Sequence, residues 1–222
     1  MIYVDTRPAI RSLRKLGEDL SDKNMTRAIS RAMNETVLQA RTQARAAVKS
    51  IYNIPQKNLK GVDVIRSKPQ TLVAKLFASA TPIPMDAFSP IFHTATQSIS
   101  VSRKGVQKLK GNKKQTVGQG VSIEVIKGKR ETIPYAFMIA GAKPRVFARG
   151  QYNSGAKYGF VRRHKRLSAA GNDLPIKPLL SVTVHAAVIN KKALQTIKAN
   201  VDAVFPRALE RNISFLLRSG GT

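Results

Sequence analysis

The sequence predicts an α+β fold: long N-terminal and C-terminal helices packed on a mostly antiparallel β-sheet, with long basic loops between strands. Three observations predict it. The stretch from Asp22 to Asn53 contains no Gly or Pro and carries apolar residues three or four apart, which places them on one face of a helix. A second stripe of the same period covers residues 186–218. Between the two lie short runs of β-branched and aromatic residues, separated by Gly, Pro and Lys clusters. Helices at the two ends of a run of strands follow the order of an α+β chain, not the alternation of an α/β one. A chain of 222 residues suits a single domain, 1–222, in which 103–119 and 149–172 form long basic loops or extensions.

Residues 1–20 begin extended. Thr6 is placed to cap a helix that tolerates Pro8 in its first turn, and Ile10, Leu13, Leu16 and Leu20 continue at helical spacing. The long helix follows, with its apolar face at Met25, Ile29, Met33, Val37, Ala40, Ala44, Val48 and Ile51. At 1.5 Å per residue it spans roughly 45 Å. Many of its core positions are Ala or Met, so a neighbour sits close to the backbone or packs around thioethers. Arg27, Arg31, Arg41, Arg45 and Lys49 line another face, and the base expectation for such a helix is a structural element laid across a sheet.

Pro55 forces Ile54 out of helical geometry and ends this segment. Val62–Ser67 and Thr71–Ala78 read as strands, whereas Thr81–Met85 is too proline-dense for a regular element and returns Phe88 to the core as an anchor. Phe92–Val101 has strand character, and the following Lys-, Gly- and Gln-rich segment reads as an exposed hairpin tip or loop. Val121–Ile126 and Arg130–Ala140 flank Gly128 as the best hairpin of the chain. Val146–Ala148 adds a short strand and Leu179–Val184 the last one. Pro206, inside the C-terminal stripe, is expected to kink that helix or begin a new one.

Charge is the strongest compositional signal. The chain has 39 Lys plus Arg against 12 Asp plus Glu, a net +27, which favours a polyanionic or acidic partner. Residues 103–166 hold 17 of the basic residues and two acids, so 15 of the 27 net charges lie there. Arg145, Arg149, Arg162, Arg163, Lys165 and Arg166, together with Lys113 and Lys114, are the candidate contacts for DNA or an acidic partner. Base-reading modules are missing: there is no zinc-finger spacing and no aromatic string of the RNA-recognition type. Contact with phosphates or with an acidic protein surface is therefore expected, without sequence readout.

Nothing in the sequence marks an enzyme. The acids are scattered, and a cross-strand pairing of Glu124 with Glu131 is the one conceivable carboxylate couple for metal-dependent hydrolysis. His93, His164 and His185 are far apart, and His164 extends the basic run from Arg162 to Arg166. No Walker motif, GxSxG or HExxH occurs, so neither catalytic residues nor cofactor or metal ligands are assigned. The absence of Cys leaves no disulfide framework. No apolar run reaches the roughly 18 residues of a membrane span, and the opening residues lack the layout of a signal peptide, so synthesis in the cytoplasm is expected.

Several short segments fall in a fixed order along the chain. They begin with Ala28-Ile29-Ser30-Arg31-Ala32-Met33-Asn34, Ala40-Arg41-Thr42-Gln43-Ala44-Arg45 and Tyr52-Asn53-Ile54 with Leu59. Ile83-Pro84-Met85-Asp86-Ala87-Phe88, Gly120-Val121-Ser122-Ile123-Glu124-Val125 and Ala136-Phe137-Met138 follow. Val146-Phe147-Ala148-Arg149 and Leu174-Pro175-Ile176 complete the pattern, which spans roughly residues 25–185 with 103–117 as an insertion. In this order and spacing the segments resemble the prophage minor tail protein Z family of long-tailed phages, and the resemblance implies a structural virion protein, made in the host cytoplasm, that completes the tail at its head-proximal end and allows head–tail joining. It implies a ring-shaped homo-oligomer, six-fold favoured, whose partners are the tail terminator, the tail tube and the head–tail connector, with packaged DNA as a further candidate contact. The competing expectation is a free nucleic-acid-binding protein that contacts the phosphate backbone without sequence readout.

Overall fold

The computed structural model describes residues 22–93, 98–102, 105–108, 120–139, 145–153, 155–156, 159–161 and 176–219. The predicted first helix and most of the two basic loops lie outside them. In order, the chain forms α1 (Asp22–Ile51), β1 (Val62–Ile65), β2 (Lys75–Ala78), β3 (Pro82–Pro84), β4 (Ile91–His93), β5 (Ser98–Ser102), β6 (Gly105–Lys108), β7 (Gly120–Ile126) and β8 (Lys129–Ile133). It continues with β9 (Phe137–Ile139), β10 (Arg145–Arg149), β11 (Gln151–Tyr152), β12 (Phe160–Val161), β13 (Ile176–Pro178), β14 (Leu180–Thr183), α2 (Val184–Val188) and α3 (Lys191–Ser219). All strand pairings among the described residues are antiparallel, and the class is α+β. The chain divides into two compact units, one of residues up to 49, 59–80 and from 184 on, the other of 50–58 and 81–183.

The first unit is built on the apolar faces of α1 and α3. Ala28, Ile29 and Ala32 pack with Phe205, Ala208, Leu209 and Ile213, and Met25, Met33, Leu72 and Leu216 close the edges. Small residues on α1 leave room for the larger side chains of α3, the complementarity that close packing requires. Polar groups then fasten the β1–β2 hairpin to α1. The Asn34 carboxamide donates to the Ser67 carbonyl at 3.0 Å and accepts the Ser67 N–H at 2.7 Å, as a neighbouring strand would. Arg45 donates to the Val62 carbonyl at 2.7 Å, and Arg41 pairs with Asp63 at 3.3 Å. Glu35 of α1 pairs with Arg211 of α3.

The C-terminal helical region differs from its expectation. It breaks at Ile189–Asn190, where the Asn190 side chain accepts the Lys192 N–H at 3.1 Å as an N-cap, and α3 then runs through Pro206 as one element.

The second unit holds a five-stranded sheet, β6-β5-β4-β7-β8, a three-stranded sheet, β13-β10-β9, and the pairs β14–β3 and β11–β12. Phe88 is its fully buried anchor. The first half of β7 pairs with β4; its second half is met by Ile51–Asn53, through Asn53 N–H to Val125 O and Lys127 N–H to Ile51 O. Three expectations are corrected here. Pro82–Pro84 is a strand after all, because a two-stranded pair needs donors from only one side of β3. The predicted strand Arg130–Ala140 divides at Pro134 into β8 and β9, which belong to different sheets. The regions read as basic loops contain strands: β6 in the first, β11 and β12 in the second.

Gly120 opens β7 at φ +137°, and a Cβ there would fall 2.2 Å from the Ile133 carbonyl oxygen. Gly120→Ala is expected to cost about 1–3 kcal/mol or more from backbone strain and displacement of β8. Leu209→Ala, in the α1–α3 core, is expected to cost about 2–5 kcal/mol. Urea denaturation midpoints of the two variants check both values.

Candidate functional site

Alternation along β10 separates its residues. Val146 and Ala148 are buried, while Arg145, Phe147 and Arg149 project from the opposite face. Antiparallel register adds the cross-strand neighbours on that face. Arg145 lies opposite Ile139 and Phe147 opposite Phe137 on β9; Phe147 lies opposite Pro178 and Arg149 opposite Ile176 on β13. The Phe137 and Phe147 rings stack with centroids 6.3 Å apart. Ile139 and Ile176 are 47% and 44% exposed, high values for aliphatic side chains in a sheet. The face thus has an aromatic centre, two exposed isoleucines and two exposed arginines, whose four-residue separation on a strand is about 13 Å.

Among the described residues no carboxylate pairs with Arg145 or Arg149, whereas Asp63, Glu35, Glu124 and Glu131 are all engaged by other cations. Lys177, opposite Ala148 and so on the other side of the sheet, is occupied differently: its ammonium sits 5.2 Å from the centre of the Tyr152 ring. The Tyr152 hydroxyl donates to Pro178 O at 2.7 Å, and burial raises its pKa.

Of the predicted contacts, Arg145 and Arg149 are thus brought together on one face. Arg162, Arg163, Lys165, Arg166, Lys113 and Lys114 lie outside the described residues, as does His164. The basic face predicted for α1 is divided: Arg27 and Arg31 are exposed, while Arg41 and Arg45 are used to hold β1. Phe137, Ile139 and Ile176 were not among the sequence candidates.

The conceivable carboxylate couple does not form. Glu131 lies opposite Ile123 and pairs with Lys129 at 3.1 Å. Glu124 accepts the Gly128 N–H at 3.0 Å and pairs with Arg130 at 3.6 Å. Among the described residues no group of three or more His, Asp or Glu is placed to hold a metal ion.

A polar cluster, in which His93 and Ser122 are buried and Arg130 reaches in from the surface, ties β4, β7 and β8 together. His93 Nε2 lies 2.8 Å from Ser122 Oγ, and Arg130 donates to the Ser89 and Ser122 carbonyls at 3.0 and 3.2 Å. A Ser–His contact is also the beginning of a nucleophilic site, but Ser122 is 1% exposed. Its hydroxyl is held 3.4 Å from the Arg130 guanidinium, which opposes formation of an imidazolium beside it. The arrangement serves as a strut between strands. Elsewhere in this unit an apolar groove of about 530 Å³ runs between β7 and β14, with Ile123, Val125, Leu180 and Val182 on its walls and the Lys129–Glu131 pair on its rim.

Comparison with protein families, with curated proteins and with solved structures yields no match for this chain.

Burial, then the Arg130 charge, lower the pKa of His93 from its ordinary 6.5. The unfolded chain therefore binds a proton that the folded one resists, and stability falls as pH drops from about 6.5 toward the lowered folded value. His93→Gln is expected to flatten that part of the curve; unfolding free energies between pH 7 and pH 5 test it.

Proposed function

We propose that this chain is a structural virion protein of a long-tailed phage, a tail completion protein at the head-proximal end of the tail that allows heads and tails to join. It acts as a ring-shaped homo-oligomer, with six-fold symmetry favoured by tail geometry. Its partners are the tail terminator, tail tube and head–tail connector, and packaged DNA lies within reach of its basic surface. The reading rests on the ordered resemblance to the minor tail protein Z family.

One structural observation supports it. The residues that carry the resemblance are largely those the fold depends on: Ala28, Ile29 and Ala32 in the helical core, Ile83, Met85 and Phe88 around the anchor, and Gly120 to Ile123 at the constrained start of β7. A pattern carried by such positions is what a shared scaffold would give, and in that way it supports the reading. The exposed basic face on β10 then supplies what a scaffold protein needs, a surface for a neighbour.

The free nucleic-acid-binding reading draws on the net charge alone, which both readings accommodate.

Electron cryomicroscopy of virions decides between them. A ring of this chain where the tail meets the head is expected. Its absence from virions, with salt-sensitive binding of naked DNA by the purified protein, would return the function to the free nucleic-acid-binding class.

A further inference from the structure

We infer that the outer face of β9-β10-β13 is a docking surface for an acidic protein segment, one that presents two carboxylates about 13 Å apart on either side of an apolar contact. The inference deepens the assembly reading and rests on it for where the partner is met, not for the chemistry of the contact.

Four features of the face argue for this occupant. Arg145 and Arg149 project from the same side of one strand, and no carboxylate among the described residues neutralises them. Between them Phe147 stacks on Phe137, an apolar centre set within a charged surround. Arginine and phenylalanine are the residue types that interfaces collect, and a guanidinium grips a carboxylate with two parallel bonds. Finally, the register puts exposed Ile139 beside Arg145 and exposed Ile176 beside Arg149. Each charged contact would therefore be made against an aliphatic wall that excludes water, which strengthens it.

Two other occupants fit less well. A nucleic acid would meet the arginines with phosphates, but exposed isoleucines offer phosphates and sugars nothing. The two phenyl rings also stack on each other instead of standing open to a base. A second copy of this chain has few carboxylates to offer the two arginines, and Glu35, Asp63, Glu124 and Glu131 are already paired within it.

The first test uses a nine-residue peptide with glutamate at its third and seventh positions, leucine at its fifth and threonine elsewhere. As a strand it presents Glu, Leu and Glu on one face with the spacing of Arg145, Phe147 and Arg149. Titration into the full chain is followed by NMR of isoleucine methyl groups. Shifts at Ile139 and Ile176 are expected, with binding about tenfold weaker at raised salt or in Arg145→Gln/Arg149→Gln. A peptide with the second glutamate moved one position, onto the opposite face, is expected to bind at least about tenfold more weakly. Equal binding of the two peptides overturns the inference. So does a single-stranded oligonucleotide that shifts the same methyl groups more strongly than the peptide, which would reassign the face to nucleic acid.

The second arm is incorporation of Arg145→Glu/Arg149→Glu into tails, with circular dichroism confirming its fold. Loss of incorporation is expected. Wild-type levels would overturn the docking face and leave the assembly reading standing. Failure of the unsubstituted chain to enter tails would remove the assembly reading, and the peptide titration would still decide the chemistry of the face.

Discussion

Twelve carboxylates have to serve thirty-nine cationic side chains. That shortage orders much of the structure. Three of the four acids in the described ion pairs hold pieces of the fold together: Glu35 links α1 to α3, Asp63 fixes β1 to α1, and Glu124 binds the Arg130 side chain that also braces Ser89 and Ser122. Asp63 shows how such a group is tuned. Its pKa is lowered first by the Val64 N–H and then by the arginine beside it, although it remains exposed. Exposed pairs contribute little stability each, so their role here is positional. The cations left over cannot be neutralised within the chain and are available to something else.

Each unit answers the same need for burial differently. In the helical unit, Ala28 and Ala32 give way to Phe205 and Leu209, and a carboxamide at Asn34 takes the place of a strand neighbour for Ser67. In the strand-rich unit, short antiparallel strands leave many edges and faces, and among the described residues the buried polar side chains are His93 and Ser122, which meet in one cluster. The face of β10 is what remains when every second residue of a strand is buried and its alternates are not.

The two long helices were legible because a stripe of period 3.6 over some thirty residues is a strong signal, and α1 falls within two residues of the expected span. The β7–β8 turn at Gly128 and the burial of Phe88 were equally plain. What escaped was decided by partners far along the chain. Nothing local says that Pro82–Pro84 will find β14, or that a strand will end at Pro134 and resume in another sheet. The Asn190 cap was present as a signal but was overshadowed by the apolar stripe continuing past it. The arginines of α1 were read as one basic face because sequence shows their periodicity and not the carbonyl of Val62 waiting for Arg45. On β10, the expected strand Val146–Ala148 was one residue short at each end. Extended to Arg145–Arg149, its period of two aligns both arginines with Phe147, but Ile139 and Ile176 join them only through register.

The helical unit is assembled from stretches far apart in the chain: Glu35 and Arg211, which close it, are separated by 176 residues. A ribosome releases α1 long before α3 exists. Through that interval the Met and Ala stripe of α1 has no mate, while residues 81–183 of the strand-rich unit can already be complete. Folding of the nascent chain would thus proceed from the middle outward, with α3 acting as the clasp. Long-range closure of this kind is slow, and it leaves an exposed amphipathic helix in need of protection. The stage at which this protein is most vulnerable to aggregation would come during its own synthesis.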